Sequence, residues 1–267
     1  MIYRIDNFSE NEINPITNAP YDDSWIAYCL TDASDYRMMV GKHNSSVYTA
    51  KVSRNYSGWK MSVCDFLQFQ TSRNKNIILS IAQHDLEEAE RRYSGHSYCD
   101  PYLRDYEPHT LIHSTTYENW LCIKNDGCLK SWNKLKEEKP LWENDPIGQK
   151  LGDPVDFRDF IMLSDDSVSS ELVVLSKQNG QIIMDQDMKY KTGVRLYFDI
   201  QKIAEDGLLI RDGIHLKVKD TLPLKPYLLW YAAWDKVGLS SNISTPKEFT
   251  EKSNLTFYEL FKKRDRS

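Results

Sequence analysis

The sequence predicts an α+β protein, in which an amino-terminal α/β region precedes a sheet domain. Two observations carry the prediction. The carboxy-terminal half is a succession of short β-branched or aromatic runs, DFIMLSD (159–165), ELVVLSK (171–177), GQIIMD (180–185) and VRLYFDI (194–200). The amino-terminal part instead carries Ile78, Ala82, Leu86, Ala89 and Tyr93 at three- and four-residue spacing between charged positions, which predicts an amphipathic helix over 77–93.

Taken in chain order, residues 1–105 are rich in Asp, Ser, Tyr and Asn and hold few long apolar runs. The composition shifts there, and the shift places a domain boundary between 105 and 106, leaving 1–105 as a target-selecting or regulatory region and 106–267 as a second domain. HTLIHSTT then reads as a strand whose end carries His113, Ser114 and Thr115. Thr116 is placed to cap a helix over Tyr117–Asn125 with Trp120, Leu121 and Ile123 as its apolar content, and Asp126-Gly127 supplies the stop. The four later runs read as strands, with Asn179-Gly180 as a hairpin turn between two of them. IQKIAEDGLLIRDGIHLKVKD adds a brief helix ending at Gly207, an apolar step at 208–210, a turn at Asp212-Gly213 and an alternating strand through Ile214, Leu216 and Val218. More strand than helix is expected in this half.

Composition excludes several classes of function. The 267 residues are 40% hydrophobic and 27% charged, with a net charge of -5, values of an ordinary globular chain. No window approaches the roughly 18–20 apolar residues of a bilayer span, and the polar start MIYRIDNFSENEIN lacks the apolar core of a signal peptide. Five cysteines without a CxxC pair fit a reducing compartment, so a cytoplasmic protein with reduced thiols is expected, and the five Asn-x-Ser/Thr sequons carry no weight there. Residues 1–100 hold 10 Lys/Arg against 13 Asp/Glu, which argues against a bulk-charge nucleic-acid binder.

Phosphate-loop, GxGxxG, HExxH, GxSxG and EF-hand signatures are absent. His109 and His113, near neighbours among six histidines, stand about 13 Å apart on an extended strand, too far to share a metal, so no metal site is expected. What remains is the segment from His113 to Leu129. His113 and Thr115, two apart on a strand, project to one side and can serve a polar ligand as a donor and acceptor pair.

This segment resembles the first motif of the ADP-ribosyltransferase fold, and most nearly the RNA 2'-phosphotransferase family, whose members read His-Gly-Thr, an apolar-faced helix, then Gly-Leu. Ser114 stands in place of the glycine, and Cys128 is inserted before Leu129. The stretch VRLYFDIQKIAEDGLLIRDGIHLKVKDTLPLKPYL is similar to the carboxy-terminal end of the same family, so the resemblance covers roughly 109–230. It implies a split-sheet domain binding NAD as a substrate, with His113 on the nicotinamide ribose and Ser114 and Thr115 beside it. Loss of nicotinamide passes through an oxocarbenium-like state, which calls for charge placed where positive charge develops. Glu171, at a strand edge, is the candidate glutamate. Arg158, Arg195 and Arg211 are candidates for the phosphates of NAD or of an acceptor, with Arg195 counted among the catalytic residues beside His113 and Glu171.

The chain has no Arg-His dipeptide and no Arg-x-His-Ile-His-Leu strand, both features of the phosphotransferases. The leading expectation is therefore an NAD-dependent ADP-ribosyltransferase acting on a macromolecular acceptor, protein or nucleic acid; a toxin or defence role and an inhibitory partner protein are compatible with it. The alternatives are an RNA 2'-phosphotransferase, or a non-catalytic nucleotide- or protein-binding module of the same fold. Each residue also has a structural explanation: His113 as a satisfied strand-end histidine, Glu171 as a surface carboxylate, Arg195 as the partner of a buried acid, and the tryptophans, Trp120, Trp132, Trp142, Trp230 and Trp234, as core.

Overall fold

The computed structural model describes residues 1–6, 8–9, 12–42, 47–139 and 145–262. His43 and Trp142 lie outside them. The elements run β1 (Ile2–Arg4), β2 (Trp25–Thr31), β3 (Met38–Gly41), β4 (Tyr48–Ser53), α1 (Trp59–Ser72), β5 (Asn76–Ser80) and α2 (Gln83–Tyr93). Then come β6 (Thr110–Thr115), α3 (Tyr117–Asp126), β7 (Cys128–Lys130), α4 (Trp132–Glu138), β8 (Phe160–Leu163), α5 (Ser169–Asn179), β9 (Tyr190–Lys191) and β10 (Val194–Asp199). The chain closes with α6 (Ile200–Glu205), β11 (Leu209–Arg211), β12 (Leu216–Lys219), β13 (Thr221–Pro223), the short turn α7 (Leu224–Tyr227), β14 (Leu228–Ala232), β15 (Ile243–Ser244) and α8 (Pro246–Lys262). The protein is α+β. Among the described residues from Glu107 on, helix outweighs strand, the reverse of the expectation.

Two compact units divide the chain, and they are not two consecutive stretches. The first comprises Met1–Tyr106 with Gly148–Phe157 and Leu209–Lys217; the second comprises Glu107–Ile147, Arg158–Leu208 and Val218–Ser267.

In the first unit, five strands form a sheet in the order β1-β5-β2-β4-β3, parallel except for the edge strand β3. Parallel strands are buried on both faces and so read as continuous apolar runs, as Ile77, Ile78 and Leu79 do. That run is β5, and α2 starts only at Gln83. Ile78 fell on helical spacing with Ala82 by coincidence, and the helix predicted over 77–93 is corrected to a strand, a short connection and a helix. On one sheet face Tyr28 packs against Phe66 of α1, ring centroids 5.2 Å apart.

The second unit is built on the antiparallel sheet β14-β10-β6, with β10 central. Val194, Leu196, Tyr197 and Phe198 are all at most 1% exposed. On one face α5 and α8 supply Leu172, Val174, Leu175, Phe249 and Phe257 to a core that includes Ile112 and Tyr197. Two readings are corrected here. ELVVLSK is helix α5, with Gly180 (φ 65°) as its left-handed end instead of a hairpin turn, and GQIIMD forms no strand. Leu172, Leu175 and Ser176 lie at helical spacing and are buried while Val173 is half exposed, so the period is helical although the residues are β-formers.

Candidate functional site

The passage from β6 into α3 follows the chemistry of its residues. Thr116 is extended (φ -69°, ψ 158°) and its hydroxyl accepts from the Asn119 amide at 3.3 Å, while Gly127 ends the helix at φ 70°. Trp120 turns inward, its ring centroid 4.7 Å from that of Tyr231 at a tilt of 44°. Gly193 lies so close to Thr115 that a β-carbon there would stand 1.9 Å from the Thr115 carbonyl oxygen, so the β10 end can approach β6 only with glycine.

Pairing register sets what each predicted residue faces. On β6, Ser114 pairs with Arg195, His113 with Leu196 and Thr115 with Val194. Successive strand residues point to opposite faces, so Ser114 and Arg195 share one face, and His113 and Thr115 share the other. Glu171 belongs with the first pair. The sheet thus divides His113 from Glu171 and Arg195, the three residues counted above as catalytic candidates.

His113 is half-buried, and its Nδ1 lies 3.3 Å from the Met162 carbonyl oxygen. A carbonyl only accepts, so Nδ1 carries the proton and Nε2 keeps its lone pair for an incoming donor. Burial pushes the imidazole pKa down, and the Lys177 ammonium works in the same direction, so the ring is neutral. Thr115 is buried at 8% exposure.

On the opposite face lies a sealed polar network. Glu171 and Arg195 are both 0% exposed and 3.6 Å apart. Ser114 donates to Glu171 Oε1, and the Tyr190 hydroxyl donates to Oε2 at 2.6 Å. Arg195 spends its donors on Tyr197 Oη (3.2 Å), Ser170 Oγ (2.7 Å) and the carbonyls of Asp166 (2.8 Å) and Ser167 (3.0 Å). Desolvation and the neighbouring Glu171 carboxylate push the Tyr190 hydroxyl far up, so it stays a donor. From α8, Asn254 bonds both Tyr197 and the Asp166 carbonyl, and Tyr258 donates to the Asp166 carboxylate at 2.6 Å. Glu171 is thus an interior helix residue, correcting the strand-edge reading. Arg195 pairs a buried acid, which is the structural explanation offered for it above.

The other two arginines have different partners. Arg158 is paired with Asp145 at 3.0 Å. Arg211 belongs to the first unit, is 2% exposed, and donates to the carbonyls of Asp100 (2.9 Å) and Tyr102 (3.0 Å). Each of the three predicted phosphate-binding arginines, Arg158, Arg195 and Arg211, thus has partners of its own within the protein. Sequence reasoning missed Tyr190, Ser170, Asn254 and Tyr258; none stands in a recognisable motif, and the buried arginine in an apolar strand was the signal that a partner network had to exist.

Among the described residues no group of three or more His, Cys, Asp or Glu is placed to hold a metal ion, and no helix is long and apolar enough to cross a membrane. Comparison of the chain with protein-family models, with curated proteins and with solved structures gives no match.

Proposed function

We propose that the second unit is an ADP-ribosyltransferase-type domain that binds NAD, releases nicotinamide and transfers ADP-ribose to a macromolecular acceptor. The supporting observation is His113: a neutral strand-end imidazole, its Nδ1 proton committed to Met162 and its Nε2 lone pair left for a ribose hydroxyl, directly before the Thr116-capped helix. NAD supplies a glycosidic bond whose cleavage builds positive charge on the ribose. The fit of this chain to that substrate is partial. His113 can orient the ribose, whereas Glu171 and Arg195 face away from it, enclosed, and act by fixing the ends of β6 and β10.

That enclosure supports a second reading, a non-catalytic module of the same fold that binds a nucleotide or a protein. An RNA 2'-phosphotransferase is less well supported, because the arginines are committed to Asp145 and to backbone carbonyls.

The deciding experiment incubates the full-length chain with NAD and follows nicotinamide release together with NAD affinity. Release by the wild type, lowered by about 10²-fold in His113→Ala, supports the transferase. Binding without release, weakened in His113→Ala, supports the module. Absence of both release and binding overturns the transferase, and leaves the module only a protein or another nucleotide as its ligand.

A further inference from the structure

In the first unit, the turn that follows α2 holds a histidine against a buried carboxylate. Gly95 (φ 82°) leads the chain out of the helix, and residues 97–100 close on themselves. The Asp100 amide donates to the Ser97 carbonyl at 3.0 Å, and the Ser97 amide donates to Asp100 Oδ1 at 2.8 Å. Asp100 is 4% exposed and is fixed by Arg104, whose guanidinium donates to Oδ2 at 3.1 Å and forks onto the likewise buried Asp65. Oδ2 also meets His96 Nδ1, at 2.9 Å. The imidazole packs on Tyr93 and Tyr102, with ring centroids 6.0 and 5.9 Å away.

This geometry sets the tautomer. Burial pushes the Asp100 pKa up, but the hydrogen bonds from His96, the Ser97 amide and Arg104 outweigh it and hold the carboxyl below its ordinary value. An ionised carboxylate only accepts, so the proton sits on Nδ1 and Nε2 keeps its lone pair. The Tyr102 hydroxyl, 3.2 Å from Nδ1, accepts from the same proton. Among the described residues nothing bonds Nε2, so no hydroxyl or thiol stands where this nitrogen could activate it, and the nitrogen itself is the nucleophile. A bond formed at Nε2 leaves the ring cationic, and the Asp100 carboxylate, already in place on the Nδ1 proton, offsets that charge. Arg91 and Arg92, both exposed in the last turn of α2, add positive charge to the segment leading into His96 and favour an anionic electrophile.

We propose that His96 is a phosphoryl-accepting residue, which takes a phosphoryl group on Nε2 from a donor of the phosphoramidate or acyl phosphate class. The Nε2 lone pair forms the new bond to phosphorus as the donor's bond to phosphorus breaks, and the leaving group departs with that electron pair. The Nδ1 proton stays in place. The site belongs to the first unit and does not depend on the reading given for His113.

The test incubates the full-length chain with phosphoramidate, from which ammonia leaves. Mass spectrometry follows the labelling of each histidine, and phosphorus NMR identifies the isomer. Accessibility alone favours His84, whose side chain is 80% exposed against 28% for His96. The expected product is the Nε2 isomer at His96, formed at least about tenfold faster than any label at His84 and slowed about tenfold in Asp100→Asn with the His84 rate unchanged. Thermal melts establish that the variant folds; where it does not, the comparison of His96 with His84 in the wild type decides alone. No label at His96, His84 labelled as fast as His96, the Nδ1 isomer at His96, or undiminished labelling in a folded Asp100→Asn each overturns the proposal.

Discussion

Arg195 and Glu171 stand 3.6 Å apart, neither side chain reaching solvent, and the strand end that carries Arg195 is held from three directions by this pairing. Arg195 reaches the loop carbonyls of Asp166 and Ser167, Glu171 accepts from Ser114 on β6, and Arg195 donates to Ser170, whose hydroxyl lies 3.0 Å from that of Ser114. Removing one partner of a buried ion pair strands the other charge, a loss of about 3–5 kcal/mol. Arg195→Ala and Glu171→Ala are accordingly expected to lose stability on that scale in urea unfolding, and Glu171→Gln less, since an amide oxygen still accepts from Tyr190. Variants within 0.5 kcal/mol of wild type would show the pair to be dispensable to the fold.

Tyr190→Phe isolates one contact of the same network. It deletes the donor to Glu171 Oε2 without changing the ring volume, leaving a buried carboxylate oxygen short of a hydrogen bond. The expected cost is about 1–3 kcal/mol. Because the network lies on the face opposite His113, NAD affinity of the folded variant should stay within about twofold of wild type; a tenfold loss would place Glu171 in contact with the ligand after all.

How much of this was legible in the chain depends on which force wrote each element. β6, its Thr116 cap and the Gly127 stop are local signals, and they stand where their residues put them. The same holds for β10 and for α6 with its stop at Gly207. α5 was misread because Glu171–Lys177 is locally strand-like and becomes helix only where Leu172 and Leu175 find the core of β6 and α8, a tertiary contact that propensity does not contain. The partners of Arg195 are equally non-local: Asn254 is 57 residues from the Tyr197 it bonds. Arg211 was legible as a strand end but not as part of another unit, since the return of 209–217 to the first unit leaves no mark in composition.

Asp153 gives the first unit a pH signature. Burial raises its carboxyl pKa to about 6, with the Asp212 carboxylate adding to the rise and His215 and Lys217 opposing it. A raised folded pKa means the folded chain holds the proton longer than the unfolded chain between pH ~4 and 6, so stability falls as pH rises through that window. Asp153→Asn, which cannot ionise, should be more stable than wild type at pH 7 by roughly 1–3 kcal/mol, with the difference closing near pH 4. An advantage that is the same at both pH values would locate the effect elsewhere.

His113 gives the opposite sign in the second unit. Its folded pKa lies below the ordinary histidine value because burial disfavours the imidazolium. Below about pH 6.5 the unfolded chain takes up a proton that the folded chain does not, so this contribution is present above that pH and is lost as pH falls toward the folded pKa, at up to about 1.4 kcal/mol per unit. Unfolding free energies of wild type and His113→Gln measured from pH 7.5 to 5 should diverge, the wild type falling more steeply. The same neutral ring keeps Nε2 an acceptor, so NAD affinity should hold as pH drops through 6.5 and weaken only once the folded imidazole protonates. A wild-type stability profile parallel to that of His113→Gln, or NAD affinity that rises on acidification, would mean that the ring is charged in the folded chain and donates to its ligand.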